Sequence, residues 1–158
     1  MLERGKMART RRGFSLIEML IVIAIILIII TMAAPKFGAA KRVANETAAL
    51  TAIKTIHSAE VLYQSEFGRF ATTLAELGPP QSGAPGPSAA ELIGNDLAGG
   101  DKSGYKFTLT GTEGGYIITA VPMTFGTTGS KTFYSDQTMA IRENLTQEPA
   151  TAASKELR

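Results

Sequence analysis

An uninterrupted apolar run near the N-terminus constrains this chain more than any other feature. Residues 20–30 are all Leu, Ile, Val or Ala. Counted from Phe14 to Ala34, the segment has about 21 residues, which form a helix of roughly 32 Å at ~1.5 Å per residue. The hydrocarbon core of a bilayer is about 30 Å thick. The run therefore predicts a helix that crosses a membrane.

One carboxylate, Glu18, lies near the start of this run. A charged side chain is costly inside a bilayer and usually marks a function, with a partner of opposite charge. The segment contains no cationic side chain that could be this partner. A cation for Glu18 must therefore come from the residue at position 14 or from another molecule.

The charge of the chain is divided unevenly around the run. Residues 1–13 contain five basic side chains and one acid, Glu3, a balance of +4 in a chain whose net charge is +2. Without these residues the remainder carries −2, so the basic pI does not indicate a nucleic-acid site. A basic flank stays in the cytoplasm by the positive-inside rule, which places everything after Ala34 outside.

Two ordinary interpretations of the N-terminus fit less well. A secretory signal has an apolar core of only ~7–15 residues, followed by a cleavage site of small residues. Here the run is longer, and the polar break precedes it. A plain signal anchor stays open, but it accounts for neither the Gly13-Phe14 pair nor Glu18.

The residues around this break resemble a known signal. A basic leader ending in Gly13, followed by Phe14, the residues 15–18 and a long apolar helix, is similar to the class III signal of type IV pilins and pseudopilins. The resemblance implies that a prepilin peptidase cleaves between Gly13 and Phe14 and then N-methylates Phe14. Glycine suits a scissile position because the missing Cβ lets a protease approach the backbone. Met1 and Met7 both remain possible starts of the leader.

The resemblance also implies a role for Glu18, the fifth residue of the processed chain. Cleavage creates an α-amino group on Phe14, and Glu18 of one subunit can pair with the Phe14 amine of its neighbour. Breaking one side of a buried ion pair costs about 3–5 kcal/mol, which would reject subunits out of register. The alternative is that Glu18 lies near the headgroups and pairs with nothing, or only with its own terminus.

A cellular pathway follows from the same resemblance. The expected partners are identical subunits in a helical filament, the prepilin peptidase, an inner-membrane assembly platform and an assembly ATPase. The precursor is expected in the inner membrane, and the mature protein in an extracellular pilus or a periplasmic pseudopilus. Pilin, minor pilin and pseudopilin of a secretion or DNA-uptake machine are not distinguished by the sequence, and neither are motility, adhesion and conduction.

The helix is expected to continue beyond the run, with a kink. Pro35 lacks the N–H of a regular helix, and Gly38 weakens the next turn. Whether this kink serves assembly or only marks the membrane surface stays open. Residues 35–67 are amphipathic, with either two apolar stripes or one wide face, and Gly68 ends the helix.

The remaining chain predicts a loop, a sheet and a tail, and with the helix an α+β pilin fold. Residues 68–104 are a Gly/Pro-rich loop, with short helices expected at 72–77 and 88–93. In residues 105–143 the apolar period becomes two, which predicts an antiparallel sheet of three to four strands packed on the helix. Residues 144–158 are expected to be an exposed tail. The predicted inward-facing residues of the sheet are Tyr105, Phe107, Leu109, Ile118, Phe133 and Ile141.

The sequence offers little catalytic chemistry. The chain has no cysteine, and its one histidine, His57, lies in an apolar stripe, where a core or interface role is expected. Asp136 resembles a ligand of the pseudopilin calcium loop, but calcium needs six or more oxygens and no dense acidic run accompanies it. We predict no enzyme activity, no cofactor and no metal site.

Overall fold

The computed structural model describes residues 13–157, apart from the side chains of residues 33–35. The chain forms two compact units, Met1–Phe37 and Gly38–Arg158. Helix α1, Leu16–Phe67, belongs to both units. Each unit is described by itself.

The first unit contains the apolar part of α1. Its large apolar side chains from Leu16 to Met32 are all exposed, between 44% at Val22 and 83% at Leu16. Among the described residues no single helix meets the length and hydropathy requirements of a membrane span. The segments Leu16–Met32 and Lys36–Phe67 meet these requirements together, on length and composition alone.

The second unit begins with the amphipathic part of α1. One face of this helix is buried because small and apolar side chains recur at steps of three and four. Val43 and Val61, which a second apolar stripe would include, are instead 62% and 45% exposed. The helix ends at Phe67, as expected, and Gly68 follows with φ +72° and donates its N–H to the Gln64 carbonyl at 2.9 Å. The buried residues of this face are Ala49, Ala52, Ile53, Ile56, Ala59 and Tyr63.

Six antiparallel strands form the sheet, and each pairs with its neighbour in the sequence. The α+β class is confirmed, but the expected number of three to four strands is too low. The two additional strands, β1 and β6, contain two residues each, too few to show a periodicity. The strands are β1 Asp101–Lys102, β2 Tyr105–Thr112, β3 Gly115–Pro122, β4 Thr132–Asp136, β5 Ile141–Asn144 and β6 Lys155–Glu156.

The face of the sheet that packs against α1 is the predicted one. Tyr105, Phe107 and Leu109 alternate with exposed residues along β2 and are buried, and Leu109 pairs with the buried Ile118 of β3. Phe133 is buried as well, whereas Ile141 is only partly buried and packs at the border of the core. The β2–β3 connection is a two-residue turn, Glu113-Gly114. Gly114 occupies this turn with φ +82°, which a residue with a Cβ rarely adopts.

The loop and the tail contain more structure than their composition indicates. Helix α2, Leu74–Leu77, lies within the predicted turn, and helix α3 is Asn95–Ala98. The helix predicted at 88–93 is wrong, because this segment runs alongside α2: the N–H of Leu92 donates to the Leu77 carbonyl at 2.8 Å. In the tail, β6 pairs with β5 and Ala150 is buried.

Candidate functional site

The predicted cleavage junction lies just before the first turn of α1. Gly13, Phe14 and Ser15 are not helical, and Phe14 is 75% exposed. The Ser15 carbonyl accepts the N–H groups of Glu18 at 3.1 Å and of Met19 at 3.3 Å, which starts the helix. A Cβ on Gly13 would meet no other atom of the described chain within 4 Å. The fold itself therefore does not require glycine at this position.

Glu18 has a partner within its own chain. Its Oε2 accepts the backbone N–H of Ser15 at 2.8 Å. Serine followed three residues later by glutamate is the sequence of a capping box, and this bond is the glutamate half of that motif. In this chain Glu18 therefore caps its own helix. Its predicted pairing with Phe14 of another subunit stays a prediction.

The predicted kink residues add no further contact. Helical structure is assigned through both positions. Pro35 is among the residues whose side chains are not described. A Cβ on Gly38 would meet nothing within 4 Å in the described part of the chain, so Gly38 is not required by close packing. The kink stays a prediction.

His57 links the helix to two strands of the sheet. Its Nδ1 lies 2.7 Å from the Tyr116 hydroxyl, and its Nε2 lies 2.8 Å from Ser135 Oγ. Because Ser135 Oγ donates its proton to the Ala140 carbonyl, it must accept from Nε2–H, and Nδ1 then accepts from Tyr116. Burial lowers the pKa of His57, although nearby Asp136 acts in the opposite direction. A neutral histidine therefore satisfies this cluster, as expected for a core residue.

Glu60 is a functional candidate that the sequence did not single out. It is fully buried, and its Oε2 accepts the N–H of Ala71 at 2.9 Å. Its Oε1 has no hydrogen-bond partner among the described residues. Burial raises the pKa of Glu60 to about 7, so near neutral pH the carboxyl is poised between its two forms. Its spacing from Ile53 and Ile56, at seven and four residues, was the available signal of burial.

A second carboxylate, Glu76, binds the segment that follows α1. Glu76 Oε2 accepts from the Tyr63 hydroxyl at 3.0 Å and from Arg69 Nη1 at 2.8 Å. Its Oε1 accepts from the Thr72 hydroxyl at 2.7 Å. Burial alone would raise the pKa of Glu76, but these hydrogen bonds outweigh it and the pKa lies below its usual value. Glu76 is therefore ionised, and its hydrogen bonds hold the segment that follows α1 against the helix.

Comparison with known proteins identifies the N-terminal segment. A family model described as a prokaryotic N-terminal methylation motif matches residues 8–34. No curated protein and no solved structure matches the chain. The match includes the Gly13-Phe14 junction, Glu18 and the apolar run, and its residues 8–12 lie outside the described part of the structure. Residues 8–34 are therefore the class III signal of type IV pilins and pseudopilins, and the chain is prepilin-like.

Proposed function

We propose that this protein is a structural subunit of a type IV pilus. Prepilin peptidase removes residues 1–13 and N-methylates Phe14, and the mature subunits polymerise through the N-terminal part of α1. One observation carries the proposal: the methylation motif of residues 8–34 leads directly into a helix whose apolar side chains are exposed on all sides.

The exposed apolar side chains of this helix support a transfer between two environments, first the lipid bilayer and then a bundle of helices. A helix that is apolar all round must be covered by lipid or by other helices. Burying one large apolar side chain contributes about 1.5–3 kcal/mol relative to water, so Leu16–Met32 cannot remain in water. Lipid chains are as apolar as leucine, and transfer from lipid to a bundle of helices gains little from the hydrophobic effect. Polymerisation therefore needs the assembly platform and its ATPase to extract the subunit.

The hydrogen bond of Glu18 supports a change of partner during maturation. In the full-length chain Glu18 accepts the N–H of Ser15. Cleavage places a positive α-amino group on Phe14, and an ion pair of this amine with the Glu18 carboxylate adds an attraction between opposite charges that the uncharged Ser15 N–H does not provide. In the filament Glu18 exchanges the Ser15 N–H for the Phe14 amine of a neighbouring subunit. The exchange fixes the axial register of the helices.

A pseudopilin of a secretion or DNA-uptake machine is the alternative, since the same motif marks both kinds of subunit. Mass spectrometry of the mature protein tests processing, and the expected N-terminus is methylated Phe14. Retention of residues 1–13 would indicate a signal-anchored protein that does not polymerise.

Electron microscopy of sheared cells then tests the kind of filament. Long surface filaments that react with an antibody to this chain support a pilin, and their absence despite processing supports a pseudopilin.

A further inference from the structure

The charges that follow the apolar run all have one sign. Residues 33–45 contain three basic side chains, Lys36, Lys41 and Arg42, and no acid. Residues 46–158 contain eight basic and twelve acidic side chains, a net charge of −4. The second unit, which begins at Gly38, therefore has two cations and no acid in its first eight residues, and a net charge of −4 in the remainder.

One loop of the sheet packs on the same part of the helix. Residues 123–131 connect β3 to β4. Arg42 Nη1 donates to the Gly126 carbonyl at 2.8 Å, and Asn45 Nδ2 donates to the Thr128 carbonyl at 2.8 Å. These contacts place the loop beside Arg42 and Asn45.

The loop presents apolar side chains on a hydrogen-bonded backbone. Residues 123–130 carry no charged side chain, Met123 is 53% exposed, and Phe125 is partly exposed. The Gly126 N–H donates to the Gly129 carbonyl at 2.7 Å, which closes the loop on itself. The loop therefore combines an exposed methionine with a backbone that Arg42 contacts, which suits the headgroup region of a membrane, where apolar lipid chains lie under anionic phosphates.

We propose that this surface, formed by Lys41, Arg42 and the loop 123–131, rests on the anionic phospholipid headgroups of the membrane that holds the apolar run. Lys41 follows Ala34, the end of the apolar run, by only seven residues in the sequence, and the potential of an anionic surface extends over a Debye length of about 8 Å. An anionic surface attracts this end of the second unit and repels the rest, which orients the unit before assembly. The inference rests on the proposed function, because it takes residues 14–34 as the membrane span.

A single-cysteine labelling experiment tests the contact, since the chain has no cysteine of its own. The full-length Met123→Cys protein carries an environment-sensitive fluorophore in nanodiscs that contain lipid-borne quenchers. Gln81→Cys is the control at the other end of the unit. It lies in the segment that reaches Tyr63 through Pro87, and Tyr63 is about 32 Å along α1 from Arg42. Ile25→Cys reports whether the apolar run is inserted at all.

We expect quenching at Met123→Cys in phosphatidylglycerol nanodiscs, less quenching in phosphatidylcholine, and none at Gln81→Cys. Each cation near an anionic surface contributes about a fivefold change in the bound-to-free ratio. In phosphatidylglycerol nanodiscs, Lys41→Glu should therefore lower the ratio of headgroup-bound to free surface at least about fivefold, as measured by quenching at Met123→Cys. Lys54→Glu, the same charge change at an exposed site farther along α1, should leave it unchanged.

Each of the following results would overturn the proposal. Equal quenching in both lipids, or equal effects of Lys41→Glu and Lys54→Glu, would remove the role of headgroup charge. Quenching that depends on the number of subunits per nanodisc, and not on the lipid, would assign the surface to a second copy of the chain. If Ile25→Cys is quenched and Met123→Cys is not, only this inference fails. If neither is quenched, the membrane span of the proposed function fails as well.

Discussion

Replacement of Glu60 by glutamine tests whether the buried carboxyl couples stability to pH. Burial raises the pKa of Glu60 from 4.5 to about 7, so the folded state retains a proton that the unfolded state has released. The stabilisation of the folded state by this retained proton is complete below pH 4.5 and is lost as pH rises to about 7. A shift of this size corresponds to about 3 kcal/mol at ~1.4 kcal/mol per pKa unit.

The assay is urea unfolding of the full-length protein in detergent between pH 4.5 and 8. Glu60→Gln is neutral at every pH. The unfolding free energy of the variant minus that of the wild type should therefore increase by up to about 3 kcal/mol as the pH is raised. His57, whose lowered pKa makes stability fall below pH 6.5, is common to both proteins and cancels in the difference. Glu66→Gln, an exposed site on the same helix, is the control and should show no such difference. A pH-independent difference between wild type and Glu60→Gln would refute the reasoning.

Three further predictions concern single positions. Glu18→Ala should leave cleavage after Gly13 intact but abolish filaments, because the amine of the neighbouring subunit then lacks its carboxylate; normal filaments in electron micrographs would contradict this. His57→Leu should lower the unfolding free energy by about 1–3 kcal/mol, since it leaves the buried Tyr116 hydroxyl without its acceptor, and denaturant unfolding measures the loss. Gly114→Ala should cost about 1 kcal/mol by the same measurement because its φ is +82°, and an unchanged midpoint would show that the turn adapts.

The parts of the protein that sequence predicted are those specified by neighbouring residues. The apolar run and the Gly13-Phe14 junction are read from composition and spacing alone. The alternation along β2 correctly predicted the burial of Phe107 and Leu109, because inward and outward side chains of a strand differ at every step. Short-range patterns were sufficient in each case.

The parts that sequence missed depend on distant partners. Glu60 occupies a boundary position on α1, and only the chain that folds back at Ala71 makes its environment a closed interior. The segment 88–93 has the composition of a capped helix, but its backbone hydrogen bonds are taken by α2 instead. Strand β6 exists because residues 155–156 return to β5. No local window contains these pairs.

The short edge strands of the sheet affect how neighbouring subunits behave at high concentration. A long unpaired edge is a template on which another chain can add a strand, and charged side chains and short length both discourage this. Here each edge strand has two residues and a lysine, Lys102 in β1 and Lys155 in β6. In the proposed filament identical sheets are held at very high local concentration for the life of the fibre. Blunted edges keep these sheets from fusing into one another, so the order of the polymer is decided by its helices.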